Sequence, residues 1–463
     1  MKTRTAFIYL AVFLLLAGYF YYFEVVRRQA QINKEDAALH LFQIAKGQIT
    51  SLQLDKNGAK LIASNRNGHW QIAEPISSRA DDFAVENVLA TLQSLKMERE
   101  VEGAAKDLQP YGLDNPKLHL SFQADGTTHQ LRIGEKTVVG NQYYASADLE
   151  NRVVLISAAQ RQSLDKSLFD LRSKKFFTFT SDQVDRIEIV RTEGRLAVAR
   201  LDKQRWQDAA APETKIKSSK VEGLLNRLIL LRAERFVADG KDDMARFGLD
   251  PARTKISLAA KGKIETLLLG SSSEEETIYA KGENMPGVAI VDQKPLAEIP
   301  ATLSDLEDRT LFSFDLNQVK AVAFKLAGRT ARLEREKEKW NWAGDEDLKE
   351  PENWQVNSLL WKLQELEYLP DAPPNKQPSP GNLQLDVVLL TENEEKLSTF
   401  SLPEVPADKA EGGVLWFSKG DETQHPYWLS AESLQELHES AKKLVTKPEL
   451  TEITNHKTQI TNK

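Results

Sequence analysis

Along the segment DFAVENVLATLQSL, the apolar residues Val85, Val88, Leu89, Leu92 and Leu95 fall at the spacing that lines one face of an α-helix. The same five columns return 136 positions later in SKVEGLLNRLILL, as Val221, Leu224, Leu225, Leu228 and Leu231. They return again 135 positions on in WQVNSLLWKLQEL, as Val356, Leu359, Leu360, Leu363 and Leu366. Three positions before each leading valine stands a residue with a short, oxygen-bearing side chain: Asp82, Ser218 and Asn353. Each is read as the N-cap of its helix. A helical period repeated at a fixed interval marks a duplicated folding unit.

The polar–apolar alternation around these helices repeats too. ITSLQL at Ile49, VDRIEI at Val184 and VKAVAF at Val319 have the period of half-buried strands. A tryptophan follows each: Trp70, Trp206, and either Trp340 or Trp342. After the helix, LHLSFQADGTTHQLRIG turns at Asp125-Gly126, a strong hairpin signal, and KISLAAKGKIETLLLG and LQLDVVLLTENEEKLSTFSL are its counterparts. Each unit therefore reads as three strands, a helix, a turn and four more strands. The predicted fold is α+β: three tandem repeats at 40–175, 176–311 and 312–446, the last divergent, each a mostly antiparallel sheet with one long amphipathic helix. Burying five aliphatic side chains at about 1.5–3 kcal/mol each binds each helix to its sheet. Residues 447–463 show no periodicity and are read as a disordered tail.

One stretch breaks the amphipathic pattern. Residues 6–23, AFIYLAVFLLLAGYFYYF, hold no charge, and Lys2, Arg4, Arg27 and Arg28 flank them. At about 1.5 Å per residue, 18 residues span close to a bilayer core. Tyr19, Tyr21 and Tyr22 gather at one end, as interfacial tyrosines do. A cleaved signal peptide has a shorter apolar core and a small-residue cleavage site. Tyr19 also stands where a lipoprotein's modified cysteine would be. The expectation is an uncleaved N-terminal transmembrane helix, with residues 1–5 as a cytoplasmic tail and 24–39 as a juxtamembrane linker. The flanking cations are nearly balanced, and the short amino tail favours export of the long carboxy-terminal region.

A second repetition lies inside the units. QPYGLDNPKLHLSF and ARFGLDPARTKISL both carry Gly-Leu-Asp followed by proline: Gly112, Leu113, Asp114 and Pro116, then Gly248, Leu249, Asp250 and Pro251. The glycine suits a left-handed cap after a short helix, the leucine packs back on that helix, and the proline ends it. The motif is thus read as a structural turn. In the third unit the proline-rich stretch 369–382 replaces it.

Composition narrows the chemistry. Of 463 residues, 61 are Lys or Arg and 68 are Asp or Glu, giving a net charge of −7 with no basic block, which argues against nucleic acid. The absence of cysteine removes disulfides, thiolate nucleophiles and Cys-based zinc sites. The chain contains no phosphate loop, dinucleotide fingerprint, HExxH or GxSxG. His119 and His129 share a hairpin, but centring the turn on Asp125-Gly126 sets His129 opposite Phe122 rather than His119. No catalytic, metal or cofactor residue is assigned. The third unit holds six of the eight tryptophans. Trp354 and Trp361 lie seven apart, with Tyr368 seven further on. This stripe is either packing between units or a partner surface, since aromatics dominate interface hot spots.

The chain resembles the bacterial family called domain of unknown function 4340. The resemblance rests on the helix from Val221 through Val237 with its Glu234-Arg235-Phe236-Val237 ending, on Phe247-Gly248-Leu249-Asp250-Pro251, and on Leu267-Leu268-Leu269-Gly270. In the first unit, Glu98-Arg99-Glu100-Val101 matches that ending. The resemblance carries no catalytic residues. It implies a context beside ABC transporter components of the gliding-motility type. The expected function is a non-catalytic, membrane-anchored periplasmic scaffold or accessory subunit of an ABC-type transport system at the bacterial inner membrane. An envelope polysaccharide or peptidoglycan-binding module is the alternative.

Overall fold

The structure is a computed structural model and describes residues 13–21, 28–45, 47–148, 150–240, 244–274, 276–326, 329–344, 351–370, 383–403 and 413–445. Its contacts divide the chain into two compact units, one of residues 1–205 and 222–301, the other of 206–221 and 302–463.

The first unit contains two antiparallel sheets built on one plan. In the first sheet the strands run in the order Ser78–Arg79, His69–Glu74, Ala59–Arg66, Ile49–Lys56, Leu118–Ala124, Thr127–Lys136, Gln142–Ala147, Val153–Ser157 and Arg99–Glu102. In the second, Gly194–Arg200, Arg186–Arg191, Thr254–Ala260, Lys263–Glu274, Thr277–Gly282, Val288–Asp292 and Arg235–Ala238 follow in the same sense. The opening strand of each pairs with the strand after the helix: Leu52 opposite Phe122, and Ile187 opposite Leu258. The helix Asp82–Gln93 lays Val85, Val88, Leu89 and Leu92 into a core with Leu52, Leu54, Leu120, Phe122 and Leu131 from the alternate positions of its sheet. In the second helix, Ser218–Leu230, Leu224, Leu225 and Leu228 are equally buried.

The second unit repeats the plan once more. Its sheet runs Lys339–Trp342, Arg329–Glu336, Ala321–Leu326, Leu383–Leu390, Lys396–Pro403, Gly413–Lys419 and His425–Leu429. Val356, Leu359, Leu360 and Leu363 of the helix Asn353–Glu365 enter a core with Val322, Phe324, Val387 and Phe400. The mixed α+β class with three antiparallel sheets, and the tandem layout, are therefore as expected.

Three further columns show where each copy begins. Isolated bridges join His40 to Lys96, Lys175 to Arg232 and Thr310 to Glu367, at equivalent places in the three copies. Two residues beyond each first partner, Phe42, Phe177 and Phe312 are buried. In the second unit the Glu367 position has reversed its charge, and Lys217 and Lys220 pair with it, Lys217 Nζ at 2.7 Å.

Several expectations need correction. The helices do not begin with Asp82, Ser218 and Asn353 as caps: each is the first helical residue. Asp81 is the N-cap of the first, accepting from the Ala84 amide at 3.1 Å, and Glu352 is that of the third. The Glu234–Val237 ending is not helical. Its helix stops at Leu230, and Arg235–Ala238 is an edge strand pairing with Val288–Asp292, as Arg99–Glu102 pairs with Val153–Ser157. Leu231 and Ala233, just past the helix end, are buried as the chain crosses to that strand. A helix at Ala431–Val445, absent from the predicted repeat, buries Leu434, Leu437, Ala441 and Leu444 in the third core.

Among the described residues, no helix is long and apolar enough to cross a membrane. Of the segment 6–23, only residues 13–21 are described. Residues 13–20 are helical, and Phe13, Leu14, Leu15, Leu16 and Phe20 are exposed. Residues 1–5, 447–463 and most of the proline-rich stretch lie outside the described residues.

Candidate functional site

The Gly-Leu-Asp motifs form the same turn twice. The 3-10 helices Gln109–Tyr111 and Met244–Phe247 end on Gly112 at φ 65° and Gly248 at φ 67°. Gly112 N–H donates to the Gln109 carbonyl at 2.9 Å and Leu113 N–H to that of Leu108 at 3.1 Å. In the second copy Gly248 donates to Ala245 at 2.9 Å and Leu249 to Met244 at 3.0 Å. Both are complete Schellman endings, with Leu113 and Leu249 buried as the motif requires. Pro110 fits inside the first turn of its helix, where no amide is needed.

A second glycine explains the close approach. A Cβ on Gly134 would lie 2.1 Å from the Tyr111 carbonyl oxygen, and one on Gly270 would lie 2.1 Å from that of Phe247. The turn thus rests directly on the strand backbone, and the Leu267–Gly270 run and the Gly-Leu-Asp run are two halves of one device. Asp114 and Asp250 are exposed. Among the described residues no three carboxylates or histidines gather closely enough to hold a metal ion. His129 does face Phe122 across the hairpin, and its Nδ1 lies 3.0 Å from Asp148.

The residues read as caps have a different task. Asp82 Oδ1 accepts from the Trp70 backbone amide at 2.8 Å, Ser218 Oγ from that of Trp206 at 3.1 Å, and Asn353 Oδ1 from that of Trp340 at 2.9 Å. The first turn of every repeat helix is therefore tied to the strand that carries the recurring tryptophan, and Trp340 is its third copy. The column is visible in the sequence but its role is not, because the partner lies 12 or 13 positions upstream. Burial alone would push the Asp82 carboxyl up, but the Trp70 amide and His69 hold it below the usual carboxylate range.

Two of the three stripe residues form an open surface. Trp354 is 65% exposed and Trp361 58%, on the outer side of a helix whose other side is buried. Tyr368 does not join them. The helix ends at Glu365, and Tyr368 packs on the core with its ring 5.2 Å from that of Tyr427. On the face of the third sheet, Lys325, Arg332, Asp386, Thr399, Ser401 and Gln424 line an open groove of about 710 Å³.

The comparison with known families decides the kinship. The model of the family described as "Domain of unknown function (DUF4340)" matches residues 70–242 and 206–385, together more than half of the chain. The chain belongs to the DUF4340 family. Both matches begin on a repeat tryptophan, Trp70 and Trp206, so the DUF4340 match itself follows the internal period. No curated protein matches the chain.

Proposed function

We propose that this DUF4340 protein is a non-catalytic scaffold or accessory subunit of an ABC-type transport system, anchored in the inner membrane through residues 6–23 and exposed to the periplasm. The exposed pair Trp354 and Trp361 carries the reading. Two exposed indoles lie about two turns apart on one face of this helix, and tryptophan is enriched at interface hot spots. The occupant is a subunit of the transporter, which the anchor brings within reach. The exposed apolar side chains of helix 13–20 support the anchor, since they pack against no protein core. The test is purification of the full chain from detergent-solubilised membranes. Transporter subunits should accompany the wild type and be lost from the double variant Trp354→Ala, Trp361→Ala. Full co-purification with the double variant would place docking elsewhere.

The groove on the third sheet favours a second reading, an envelope polysaccharide site, because polar groups such as Asp386, Thr399 and Gln424 lie beside a mainly apolar floor that includes Phe324 and Val388, a mixture on which a sugar's hydroxyls and its apolar ring face could both rest. Retention of the full chain on insoluble peptidoglycan, lost on Asp386→Ala, would support it.

A further inference from the structure

Within the first compact unit, where the first repeat passes into the second, a cavity of about 380 Å³ is lined mainly by polar side chains, among them Ser78, Arg79, Arg172, Lys175, Glu265 and Asn284. Two of these are buried with unfinished hydrogen bonding. Arg172 is 1% exposed and Ser78 7%, yet Arg172 Nε and Ser78 Oγ have no partner. A buried donor without a partner is destabilising, so such atoms point to a ligand.

Both terminal nitrogens of Arg172 have a partner. One terminal nitrogen donates to Asp239 Oδ1 at 2.6 Å, the other to the Pro286 carbonyl, and the guanidinium lies 3.6 Å from the centre of the Phe236 ring. These contacts fix the group and leave Nε as its one nitrogen without a partner. Across the cavity, Glu265 is buried and held by neutral donors: the Thr178 amide at 2.7 Å, the Thr178 hydroxyl, and Asn284 Nδ2 at 3.1 Å. Arg79 and Lys175 complete the lining; Arg172 is paired with Asp239 and Arg79 lies 3.7 Å from Asp82, which leaves Lys175 as the lining cation without a carboxylate of its own. Burial, and after it the charge of Arg172, lowers the Lys281 ammonium below its usual range.

The repeat architecture does not require this set. The bridge that joins Ala80 to Arg172 recurs as Ile216 to Glu307, with a carboxylate where the first junction has its arginine. By strand register the column of Glu265 holds His129 in the first sheet and Ser398 in the third.

We infer that this cavity binds a small organic or inorganic anion, a carboxylate or phosphate seated on Arg172 Nε, Ser78 Oγ and Lys175, with Glu265 receiving a donor from the same ligand. This is independent of the docking proposal. The test is titration calorimetry on the full chain in detergent, with inorganic phosphate and glutamate as separate probes and sodium chloride at matched ionic strength as control. At least one probe should bind saturably at one site at concentrations up to about 10 mM. Which probe binds separates phosphate from amino-carboxylate ligands. The double variant Ser78→Ala, Lys175→Met removes an unbonded hydroxyl and an exposed amine. It should therefore keep the wild-type melting temperature while binding at least about tenfold more weakly. Binding by neither probe, or equal binding by a variant with unchanged melting temperature, would overturn the inference.

Discussion

Single side chains do their work here by completing backbone hydrogen bonds. Asp82, Ser218 and Asn353 differ in charge and size but share an acceptor oxygen at the place where a tryptophan amide needs one. Asp82→Asn keeps the acceptor oxygen but gives up the charge that faces His69 and Arg79, so it should cost less at pH 7 than Asp82→Ala, which should cost about 1–3 kcal/mol in chemical denaturation because the amide loses its partner. Glycine obeys an equally local rule. Gly270→Ala would drive a methyl group into the Phe247 carbonyl and should be severely destabilising. Gly223, inside a helix with open space around it, should behave oppositely: Gly223→Ala is expected to stabilise by about 0.5–1 kcal/mol. Thermal melts of the two variants side by side would separate a packing glycine from an incidental one.

Elements were legible where their period was long and one-sided. The three repeat helices could be read because four or five aliphatics kept the helical spacing, and those residues are buried in the structure. The Gly-Leu-Asp turn was legible because a left-handed residue, a buried leucine and a proline each leave a distinct letter. The strand Arg99–Glu102 left none: all four of its side chains are exposed, and its place is set by pairing with Val153–Ser157. Its counterpart Arg235–Ala238 was hidden by continuity, since Phe236 and Val237 extend the apolar run of the helix before it. Tyr368 misled in the same way, at helical spacing from Trp361 but past the helix end. Of the proposed docking stripe, the sequence thus located the two tryptophans and misplaced the tyrosine. On the helix Asn353–Glu365 the two faces should respond differently. Leu360→Ala should cost about 2–5 kcal/mol in denaturation midpoint analysis, while Trp361→Ala should leave stability within about 0.5 kcal/mol. A large loss from Trp361→Ala would mean that its ring is packed and not open to a partner.

At the scale of the whole molecule, three sheets are carried in two compact units, and residues 206–221 belong with the second. The pairs between Lys217, Lys220 and Glu367 lie within that unit. Burial would raise the Glu367 carboxyl, but the two ammonium groups hold it below its ordinary value. Burial would likewise lower Lys217, and its bonds to Glu367 and Glu365 hold it above its ordinary value. The stabilisation from Glu367 is therefore complete above the ordinary glutamate range and is lost as pH falls through the depressed value; that from Lys217 is complete below the ordinary lysine range and is lost as pH rises through the elevated one. Glu367→Gln should flatten the acid limb of the melting temperature against pH, and an unchanged acid limb would show that the pairs contribute nothing.

The account rests on one module written three times, and its most direct measurement is backbone hydrogen exchange at Trp70, Trp206 and Trp340 in the full chain and in three variants. All three amides should exchange slowly, and Asp82→Ala, Ser218→Ala and Asn353→Ala should each accelerate exchange at its own tryptophan while leaving the other two protected. Fast exchange at any of the three in the wild type, or a variant that leaves its own tryptophan protected, would contradict it.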